Sequence, residues 1–325
     1  MHDKAAAILR LFRAGAGYTS GEYLSRELCV SRTAVWKHIS ALRKNGYRIE
    51  AVPSRGYRLV SSPDIIDPHE VAAVRGDTVI GRELEYVKVS LSTNADAFRL
   101  AEQGAAEGTV VLADSQTGGK GRRGRVWSSP AGVNLYCSVL LRPVIMPNEA
   151  PQLTFLSAVA VARAIEQTTT LIPEIKWPND LLVSGKKVAG LLNEMSAETD
   201  GINFVILGIG VNLNMTADQF PNDLRHPATS LFLESGIRVV RSQFTGTMLR
   251  ELDHLYADFR AYGFGPVREE WQRRCNARGR QVLVSDSGTE CTGGRFIGID
   301  SDGALLLQSD DDKQHRITCG DVRVI

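Results

Sequence analysis

The pattern of apolar and polar positions over the first sixty residues predicts three helices followed by a hairpin. The third helix carries Val35, Ile39 and Leu42 at positions i, i+4 and i+7, which places the three side chains on one apolar face. Ser31, just before this helix, is a favourable N-cap. The helices are expected over 4–14, 20–29 and 32–44, and the strands of the hairpin within 47–60. Three helices and a hairpin predict a winged helix-turn-helix.

Beyond residue 62, strand-like and helix-like segments are mixed along the chain. Strands are expected over 86–92, 108–116, 134–143, 187–195 and 203–214, and helices over 93–105 and 153–167. The second of these helices is almost wholly apolar, so it must be buried. This order predicts the α+β fold class, with helices packed on a mixed, mostly antiparallel sheet.

From about residue 274 onward, short strand-like runs alternate with turns rich in Gly, Asp and Ser. Residues 295–308 predict a hairpin with an Asp-Gly turn, and the whole series predicts a small β-barrel. A turn-rich linker at 61–64 marks the other boundary. We therefore expect three domains, which we name the head (1–62, winged helix-turn-helix), the body (63–273, α+β) and the tail (274–325, small β-barrel).

Composition separates a basic head from an acidic remainder. The 325 residues hold 38 Lys and Arg against 37 Asp and Glu, and 43% are hydrophobic, which excludes a wholly disordered chain. Residues 1–60 carry 11 basic against 4 acidic side chains, a net +7, whereas the other 265 carry 27 against 33, a net −6. This asymmetry indicates an anionic partner, such as nucleic acid, for the head.

Polar side chains on the third helix lie opposite its apolar face, as a DNA-recognition helix requires. Arg55, at the tip of the hairpin, is a further basic side chain that DNA can contact. Trp36 is ambiguous, because its ring either packs inside the head or lies against the DNA backbone. The alternative function is a small basic domain that binds another protein. The candidate DNA-binding residues are Arg32, Thr33, Trp36, Lys37, Ser40 and Arg55.

Cysteine usage and hydropathy bear on the compartment. The cysteines are odd in number and never spaced as C-x-x-C, which argues against a disulfide framework or a zinc site and favours reduced thiols. Arg10 and Arg13 interrupt the apolar residues near the amino terminus, so this segment lacks the core of a signal peptide. We expect a cytoplasmic location and no membrane partner. The cysteines are Cys29, Cys137, Cys275, Cys291 and Cys319.

Residues 118–125, which we name the arginine loop, hold four glycines and four cations, a composition unsuited to a buried strand or a helix. Backbone N–H groups and guanidinium groups in such a loop can bind phosphate oxygens. The glycine spacing matches a dinucleotide fingerprint, but Pro130 and Gly132 follow where that fingerprint needs a helix. No GK[ST] follows for a P-loop either. We expect a phosphate-binding loop, and the alternative is a solvated basic linker.

Three further segments combine polar groups with glycine. KWPND at 176–180 and KKVAG at 186–190 fall in one hairpin, which by itself indicates only a surface turn. STN at 92–94 either contributes to a site or only caps a helix. GIGVN at 208–212 indicates a strand that a ligand approaches closely, or else tight packing within a sheet.

Taken together, these segments resemble the biotin–protein ligases in their two-function form, which also represses the biotin operon. The resemblance covers essentially the whole chain, and its specific part is the pair GGKGRRGRVW (118–127) and KWPNDLLVSGKKVAGLLNE (176–194). Two positions depart from the family. Lys120 stands where the repressor form often has Arg, and Thr117 where a second Gln is common. Lysine keeps the charge but loses the bidentate fork, so loop ordering and its coupling to dimerisation are expected to differ.

The resemblance implies an enzyme that uses ATP and Mg²⁺ to activate biotin as biotinyl-5′-AMP. Biotin is then transferred to a lysine of a biotin carboxyl carrier protein. It also implies a repressor that binds operator DNA as a homodimer when the adenylate is bound. Three alternatives stay open: a ligase whose head is only structural, a transcription factor that only senses a nucleotide-like ligand, and a lipoate ligase.

The resemblance implies roles for individual residues as well. The catalytic residues would be Lys187, Arg122, Arg123 and Asp180, and Asp180 is also the candidate ligand for Mg²⁺. The ATP-binding residues would be Arg122, Arg123, Arg125, Trp127, Asn179 and Asn212. The biotin-binding residues would be Ser92, Thr93, Asn94, Gln116, Gly119, Lys120, Gly121, Arg122, Trp127, Lys187, Gly190, Leu192 and Gly208.

Overall fold

The head is a winged helix-turn-helix, as predicted. The computed structural model describes residues 2–15, 17–63, 65–198, 201–286, 290–309 and 311–325. Ser31 caps the third helix, since its side chain accepts a hydrogen bond from the N–H of Ala34 at 3.2 Å. The elements of the head are α1 (His2–Ala14), α2 (Gly21–Glu27), α3 (Arg32–Lys44), β1 (Arg48–Val52) and β2 (Gly56–Ser61).

The apolar face predicted on α3 forms part of the core of the head. Val35, Ile39 and Leu42 are buried and belong to one cluster with apolar side chains of α1 and α2. Trp36 is 55% exposed, so its ring does not fill this core. The strands β1 and β2 pair antiparallel, and Arg55 lies exposed at their tip. The polar face of α3 and the tip of the hairpin are therefore both open to solvent.

A seven-stranded mixed sheet forms the body. Its strands are β3 (Leu84–Ser90), β4 (Val110–Gln116), β5 (Leu135–Leu141), β6 (Glu174–Lys176), β7 (Asp180–Val183), β8 (Lys186–Glu198) and β9 (Gly201–Val211). They are arranged in the order β3-β4-β5-β9-β8-β7-β6. Every neighbouring pair is antiparallel except the parallel pair β3–β4. The prediction of a mixed, mostly antiparallel sheet is confirmed.

Helices cover both faces of this sheet, because its strands place apolar side chains alternately on each face. Val111 packs in a small cluster beside α5, whereas Val110 and Leu112 belong to the main core with α6 and α8. The helix α6 is buried along most of its length, as its apolar sequence predicts. The helices are α4 (Pro68–Arg75), α5 (Thr93–Glu102), α6 (Pro151–Thr168), α7 (Leu231–Ser235), α8 (Arg241–Tyr262) and α9 (Gly265–Arg274).

The sequence pattern did not predict α8, although it is the longest helix among the described residues. Its buried face carries polar side chains, including Arg241, Ser242 and Thr245. Arg241 is 1% exposed and lies 2.9 Å from Asp114 on β4. A buried face that contains paired polar groups weakens the apolar period on which the prediction depends.

The tail is a five-stranded antiparallel sheet. Its strands are β10 (Gln281–Asp286), β11 (Glu290–Ile299), β12 (Leu305–Gln308), β13 (Gln314–Ile317) and β14 (Asp321–Val324), in the order β13-β12-β11-β10-β14. The predicted hairpin is the pair β11–β12. Gly303 in its turn has φ +84°, and a Cβ there would lie 2.2 Å from the ring of Phe155 on α6. No pairing within the described ranges joins β13 to β14, so the predicted closure into a barrel is not confirmed.

The structure bears on two expectations from the sequence, which concern membrane spans and disulfides. Among the described residues, no helix is both long and apolar enough to cross a membrane. No disulfide joins the described cysteines, and the side chain of Cys291 lies outside the described part of the chain. Cys275 is buried, and this burial raises the pKa of its thiol to about 12.

A partly buried ion pair lies at the junction between the head and the body. Arg13 at the end of α1 places Nη2 2.6 Å from Oε1 of Glu70 on α4, and the Ser62 hydroxyl donates to the same oxygen at 2.6 Å. Glu70 is 1% exposed. Because α4 packs against both α1 and α8, this ion pair lies where the head rests on the body. The boundary at 62/63 stays a prediction.

Glu70→Gln is expected to lower the free energy of unfolding by about 2 kcal/mol, because the Arg13 guanidinium loses its buried counter-charge. Urea unfolding of the full chain measures this change. The matched control is Glu50→Gln, which removes a carboxylate that pairs with Arg58 on the surface of the head and should change stability little. An equal effect of the two substitutions would contradict the importance of the junction.

Candidate active site

A cavity of about 620 Å³ opens at the ends of strands β7, β8 and β9, under the arginine loop. It collects most of the residues that sequence analysis singled out in the body. Gly119 and Arg123 are exceptions, since neither lines it. The predicted residues that line it are Ser92, Thr93, Asn94, Gln116, Lys120, Gly121, Arg122, Arg125, Trp127, Asn179, Asp180, Lys187, Gly190, Leu192, Gly208 and Asn212.

An ion pair between Lys187 and Asp180 lies in the wall of this cavity. The two residues belong to the antiparallel pair β7–β8, whose register shifts between Leu181 and Leu182. The Lys187 Nζ atom is 2.7 Å from Oδ1 of Asp180 and 5.3 Å from the centroid of the Trp127 ring. The KWPND and KKVAG segments therefore form more than a surface turn, because they hold one cation in place inside a pocket.

The Trp127 ring lies against the backbone of β8 and β9 at two glycines. A Cβ on Gly210 would come within 2.7 Å of the ring, and one on Gly190 within 3.0 Å. The GIGVN segment is thus a strand that another group approaches closely, and that group is Trp127. The Nε1 atom of Trp127 is buried without a hydrogen-bond partner among the described residues.

A hydrogen-bonded polar cluster forms another wall. The Gln116 side chain accepts from the N–H of Thr93 at 2.9 Å, and the Ser138 hydroxyl bonds both Thr93 Oγ1 (2.8 Å) and Asn94 Oδ1 (2.6 Å). Ser92 stands at the N-cap of α5, but its side chain makes no capping hydrogen bond. The STN segment therefore does not act merely as a side-chain cap. Sequence analysis missed Ser138, which lies within the apolar run of β5.

The side chain of Asn94 contacts residues of both β8 and β9. Its amide nitrogen donates to the carbonyl of Leu192 at 3.2 Å and to Oε2 of Glu194 at 2.7 Å. A Cβ on Gly208 would lie 2.4 Å from Asn94 Oδ1, so only glycine leaves room for this amide. Asn94 thereby ties the start of α5 to the centre of the sheet.

The arginine loop is folded into a short 3-10 turn over 122–124. Its backbone closes where the N–H of Gly121 donates to the carbonyl of Arg125 at 2.7 Å. Arg122 Nη1 donates to Asn179 Oδ1 at 3.3 Å, and burial lowers the pKa of Arg122. Arg123 is exposed and has a left-handed backbone (φ +59°). The loop therefore directs Arg122 into the cavity and Arg123 away from it.

Asn212 lines the cavity, but its amide also supports a neighbouring segment. Its Nδ2 donates to the carbonyl of Thr229 at 3.1 Å, and the side chain is buried. The backbone of Lys187 bonds to the same segment on both sides, as donor to Pro227 O and acceptor from Thr229 N, each at 2.9 Å. Residues 227–229 are therefore fastened to the cavity wall.

Several lining residues were missed by sequence analysis. They come from the segment 220–228 and from the start of β14, and include Phe220, Leu224, Arg225, His226 and Asp321. Burial and the nearby Lys176 cation lower the pKa of His226. Nothing in the local sequence marks these residues, since they reach the cavity only through the tertiary fold.

The predicted DNA-binding residues lie on α3 and at the tip of the β1–β2 hairpin. Arg32, Thr33 and Lys37 are exposed on α3, and Ser40 is partly exposed. The Arg55 guanidinium lies 4.5 Å from the centroid of the Tyr18 ring, which holds the tip of the hairpin. The Arg32 guanidinium is paired with Glu22 of α2 at 2.8 Å, with both side chains largely exposed.

Three family models match the chain in the order of its domains. Residues 4–58 match an HTH domain, residues 86–212 match the Biotin/lipoate A/B protein ligase family, and residues 279–324 match the Biotin protein ligase C terminal domain. The fold is thus that of a ligase with an attached helix-turn-helix domain.

Curated relatives and solved structures agree with this class. The chain is 42% identical to the "Bifunctional ligase/repressor BirA" of Bacillus spizizenii, over 93% of either chain. It is 30% identical to the protein of the same name in Escherichia coli, over 91% of this chain and 90% of that one. The "Biotin protein ligase from Aquifex aeolicus in complex with biotin and ATP" superposes with a TM-score of 0.64 at 28% identity, over 75% of this chain and 99% of that one. The chain belongs to the biotin–protein ligase family, and the resemblance found in the sequence is confirmed.

Gly210→Ala is expected to displace the Trp127 ring, because the new Cβ would lie 2.7 Å from it. Near-ultraviolet circular dichroism and acrylamide quenching of tryptophan fluorescence would both change. Gly201→Ala at the other end of β9 is the matched control, since a Cβ there meets no atom within 4 Å. Indistinguishable spectra for the two variants would show that the ring is not held by the glycine.

Proposed function

We propose that this chain is a biotin–protein ligase that also represses transcription from an operator. In the first step, an oxygen of the biotin carboxylate bonds to the α-phosphorus of ATP, and pyrophosphate leaves. In the second, a lysine amine of a biotin carboxyl carrier protein attacks the acyl carbon of biotinyl-5′-AMP; an amide forms and AMP leaves. The observation that carries the proposal is the single cavity that joins the Lys187–Asp180 pair, Trp127 and the arginine loop.

The first step brings a carboxylate against an anionic phosphate, so fixed cations are needed between them. Lys187 is held by Asp180 and suits the reacting carboxylate and the adenylate linkage. Arg122 is held by Asn179 and points into the cavity, where it suits the phosphates. We assign Arg123 and Arg125 to the phosphates as well, with Arg123 acting from the outer side of the loop.

The apolar and amide parts of biotin fit the opposite end of the cavity. Thr93, Asn94 and Gln116 offer hydroxyl and amide groups to the ureido ring, with Ser92 beside them. Gly190, Gly208 and Leu192 are assigned to the same part of the cavity, where Gly208 leaves room for the Asn94 amide and Gly190 for the Trp127 ring. Further biotin contacts are assigned to Lys120 and Gly121 of the arginine loop, with Gly119 supporting the loop from behind. Trp127 covers the ligand and excludes water from the mixed anhydride.

The second step needs a group that takes a proton from the incoming amine. Asp180 is the carboxylate nearest to Lys187, and we assign it to orienting or deprotonating that amine. Asn179 and Asn212 are assigned to the nucleotide. The hydrogen bond from Asn212 Nδ2 to the carbonyl of Thr229 fixes the side chain of Asn212, so the nucleotide would meet it in that orientation.

Mg²⁺ fits this site as the counter-ion of the triphosphate. In the described part of the chain, no three His, Cys, Asp or Glu side chains cluster around a common point, and Asp180 is occupied by Lys187. Magnesium in such sites is usually held by one or two carboxylates together with substrate phosphates. When bound, the ion would neutralise phosphate charge, and Asp180 is the candidate carboxylate toward it.

Repression requires that the adenylate favour the DNA-binding state. We infer that biotinyl-5′-AMP stabilises the folded arginine loop, that the liganded chain forms a homodimer, and that two heads then bind a two-fold operator. Arg32, Thr33, Lys37, Ser40 and Arg55 would contact DNA, with Trp36 against the sugar–phosphate backbone. The domain limits 1–62, 63–273 and 274–325 and a cytoplasmic location belong to the same proposal.

Lys187→Gln is expected to lower the rate of biotin-dependent pyrophosphate release by about a hundredfold or more, because one fixed cation is lost beside the reacting oxygen. Release is measured with biotin, ATP and Mg²⁺. Lys186→Gln is the control, because its Nζ pairs with Glu234 and the residue does not line the cavity. No biotinylation of a carrier domain by the unaltered chain would overturn the ligase, and lipoylation in its place would favour the lipoate alternative.

Lys37→Ala is expected to weaken binding to a duplex from the promoter of the biotin genes and to reduce the salt dependence of binding by about one ion, as loss of one phosphate contact does. Fluorescence anisotropy with biotin and ATP present measures both. Arg99→Ala removes an equal charge from α5 in the body as the control. Unchanged DNA affinity for Lys37→Ala and for Arg32→Ala would leave the head a structural role only.

A further inference from the structure

The tail packs against the hairpin β6–β7, which carries Asn179 and Asp180. This hairpin ends the seven-stranded sheet, and its edge strand β6 has three residues. A strand so short makes few backbone hydrogen bonds, so its stability depends on what packs beside it. The tail meets this edge, since the N–H of Asn276 donates to the carbonyl of Ile175 at 3.0 Å. The tail therefore supplies outer support to the hairpin.

A second contact reaches the turn of the hairpin itself. Residues 177–179 join β6 to β7, and Trp177 within this turn is 2% exposed. Its Nε1 atom donates to the carbonyl of Gly303 at 3.1 Å, although 126 residues separate the two in the sequence. Both groups are buried, so loss of this hydrogen bond would take a donor from a carbonyl that water does not reach, which is costly.

The tail turn that offers this carbonyl is held over α6. Gly303 has φ +84°, and a Cβ there would lie 2.2 Å from the ring of Phe155. The side chain of Gln152, also on α6, donates to the carbonyl of Ser301 at 2.7 Å. The acceptor of the Trp177 N–H therefore has a place that α6 determines.

The strand β8 holds the same hairpin turn from the inner side. The Nδ2 atom of Asn179 donates to the carbonyl of Leu191 at 2.7 Å, and the carbonyl of Asn179 accepts from the N–H of Leu191 at 2.9 Å. Asp180 follows directly and pairs with Lys187. The turn is thus fastened on one side to the strand that carries Lys187 and on the other side to the tail.

We propose that Trp177 is a positioning residue, through which the tail sets the places of Asn179 and Asp180 in the cavity. The inference rests on the proposed function where ATP and the carrier lysine are concerned, whereas the support of the hairpin by the tail does not. The Trp177 ring lines the cavity, but its N–H bonds to the tail. Residues assigned to the ureido ring, such as Thr93 and Gln116, lie on α5 and β4, outside this contact.

The first test displaces the tail turn in the full chain without ligands. Gly303→Ala puts a methyl group into the Phe155 ring. Amide hydrogen exchange, measured by mass spectrometry, should rise about three- to tenfold in a peptide covering 174–183, as loss of one buried hydrogen bond allows. A peptide covering 110–116 in β4 should keep its exchange rate.

Gly279→Ala is the matched control for this test. Gly279 also lies in the tail and has a similar φ of +69°, but a Cβ there meets no atom within 4 Å. Equal exchange of the 174–183 peptide in the two variants would overturn the proposal. An equal rise in the 110–116 peptide of Gly303→Ala would show a general loss of stability and would also overturn it.

The second test removes the hydrogen bond and keeps an aromatic ring. With biotin and Mg²⁺ present, Trp177→Phe should raise the KM for ATP about three- to tenfold. It should slow transfer from preformed biotinyl-5′-AMP to a carrier domain by a similar factor, and the KM for biotin should change little. A purely structural role would lower the fraction of active enzyme, and hence the apparent kcat, without moving the KM for ATP.

Trp271→Phe is the matched control for the second test. Trp271 is also buried and packs on Phe155 with ring centroids 5.0 Å apart, but its Nε1 has no hydrogen-bond partner among the described residues. Both KM values should stay unchanged in this variant. Equal effects of the two substitutions, or a fall in kcat alone in Trp177→Phe, would overturn the assignment. Absence of adenylation by the unaltered chain would instead reject the proposed function, and the exchange result would still stand by itself.

Discussion

The candidate site depends on the absence of side chains at two points of the sheet. Where the Trp127 ring lies on Gly190 and Gly210, an added methyl group would overlap the ring. That contact brings the end of the arginine loop down onto β8 and β9, so the loop cations and Lys187 share one cavity. If the ring stood further from the sheet, the same residues would be spread over an open surface, and their charges would be screened by water.

Three of the cations that line the cavity are each held by a polar or charged partner. Lys187 is held by Asp180, Arg122 by the Asn179 amide, and Arg125 by Asp321. A fixed cation does not have to be reoriented when a carboxylate and a phosphate meet, and this preorganisation is a large part of electrostatic catalysis. The same contacts offset part of the repulsion between the cations of the loop.

Local signals in the sequence predicted the parts of the molecule that local interactions determine. The helix α3 was predicted with its observed limits, because its N-cap and its apolar face both lie within residues 31–44. The helix α8 was missed because Arg241 and its polar neighbours are buried with partners from other elements. The residue Asp321 was missed for a similar reason, since its partner lies in another domain. The roles of Lys187 and Asp180 came from resemblance to a family, and geometry then showed that the two side chains meet.

The backbone bonds of Lys187 limit which insertions the chain can accept. Its N–H and its carbonyl are both bonded to residues 227–229, while its side chain is paired with Asp180. One added residue between the β7–β8 turn and Lys187 would turn its side chain to the other face of the sheet and break all three bonds together. The far end of the β8–β9 hairpin has no such link to the cavity among the described residues. Differences in chain length between members of this family should therefore collect at that end, where evolution can lengthen or shorten the hairpin without moving the lysine.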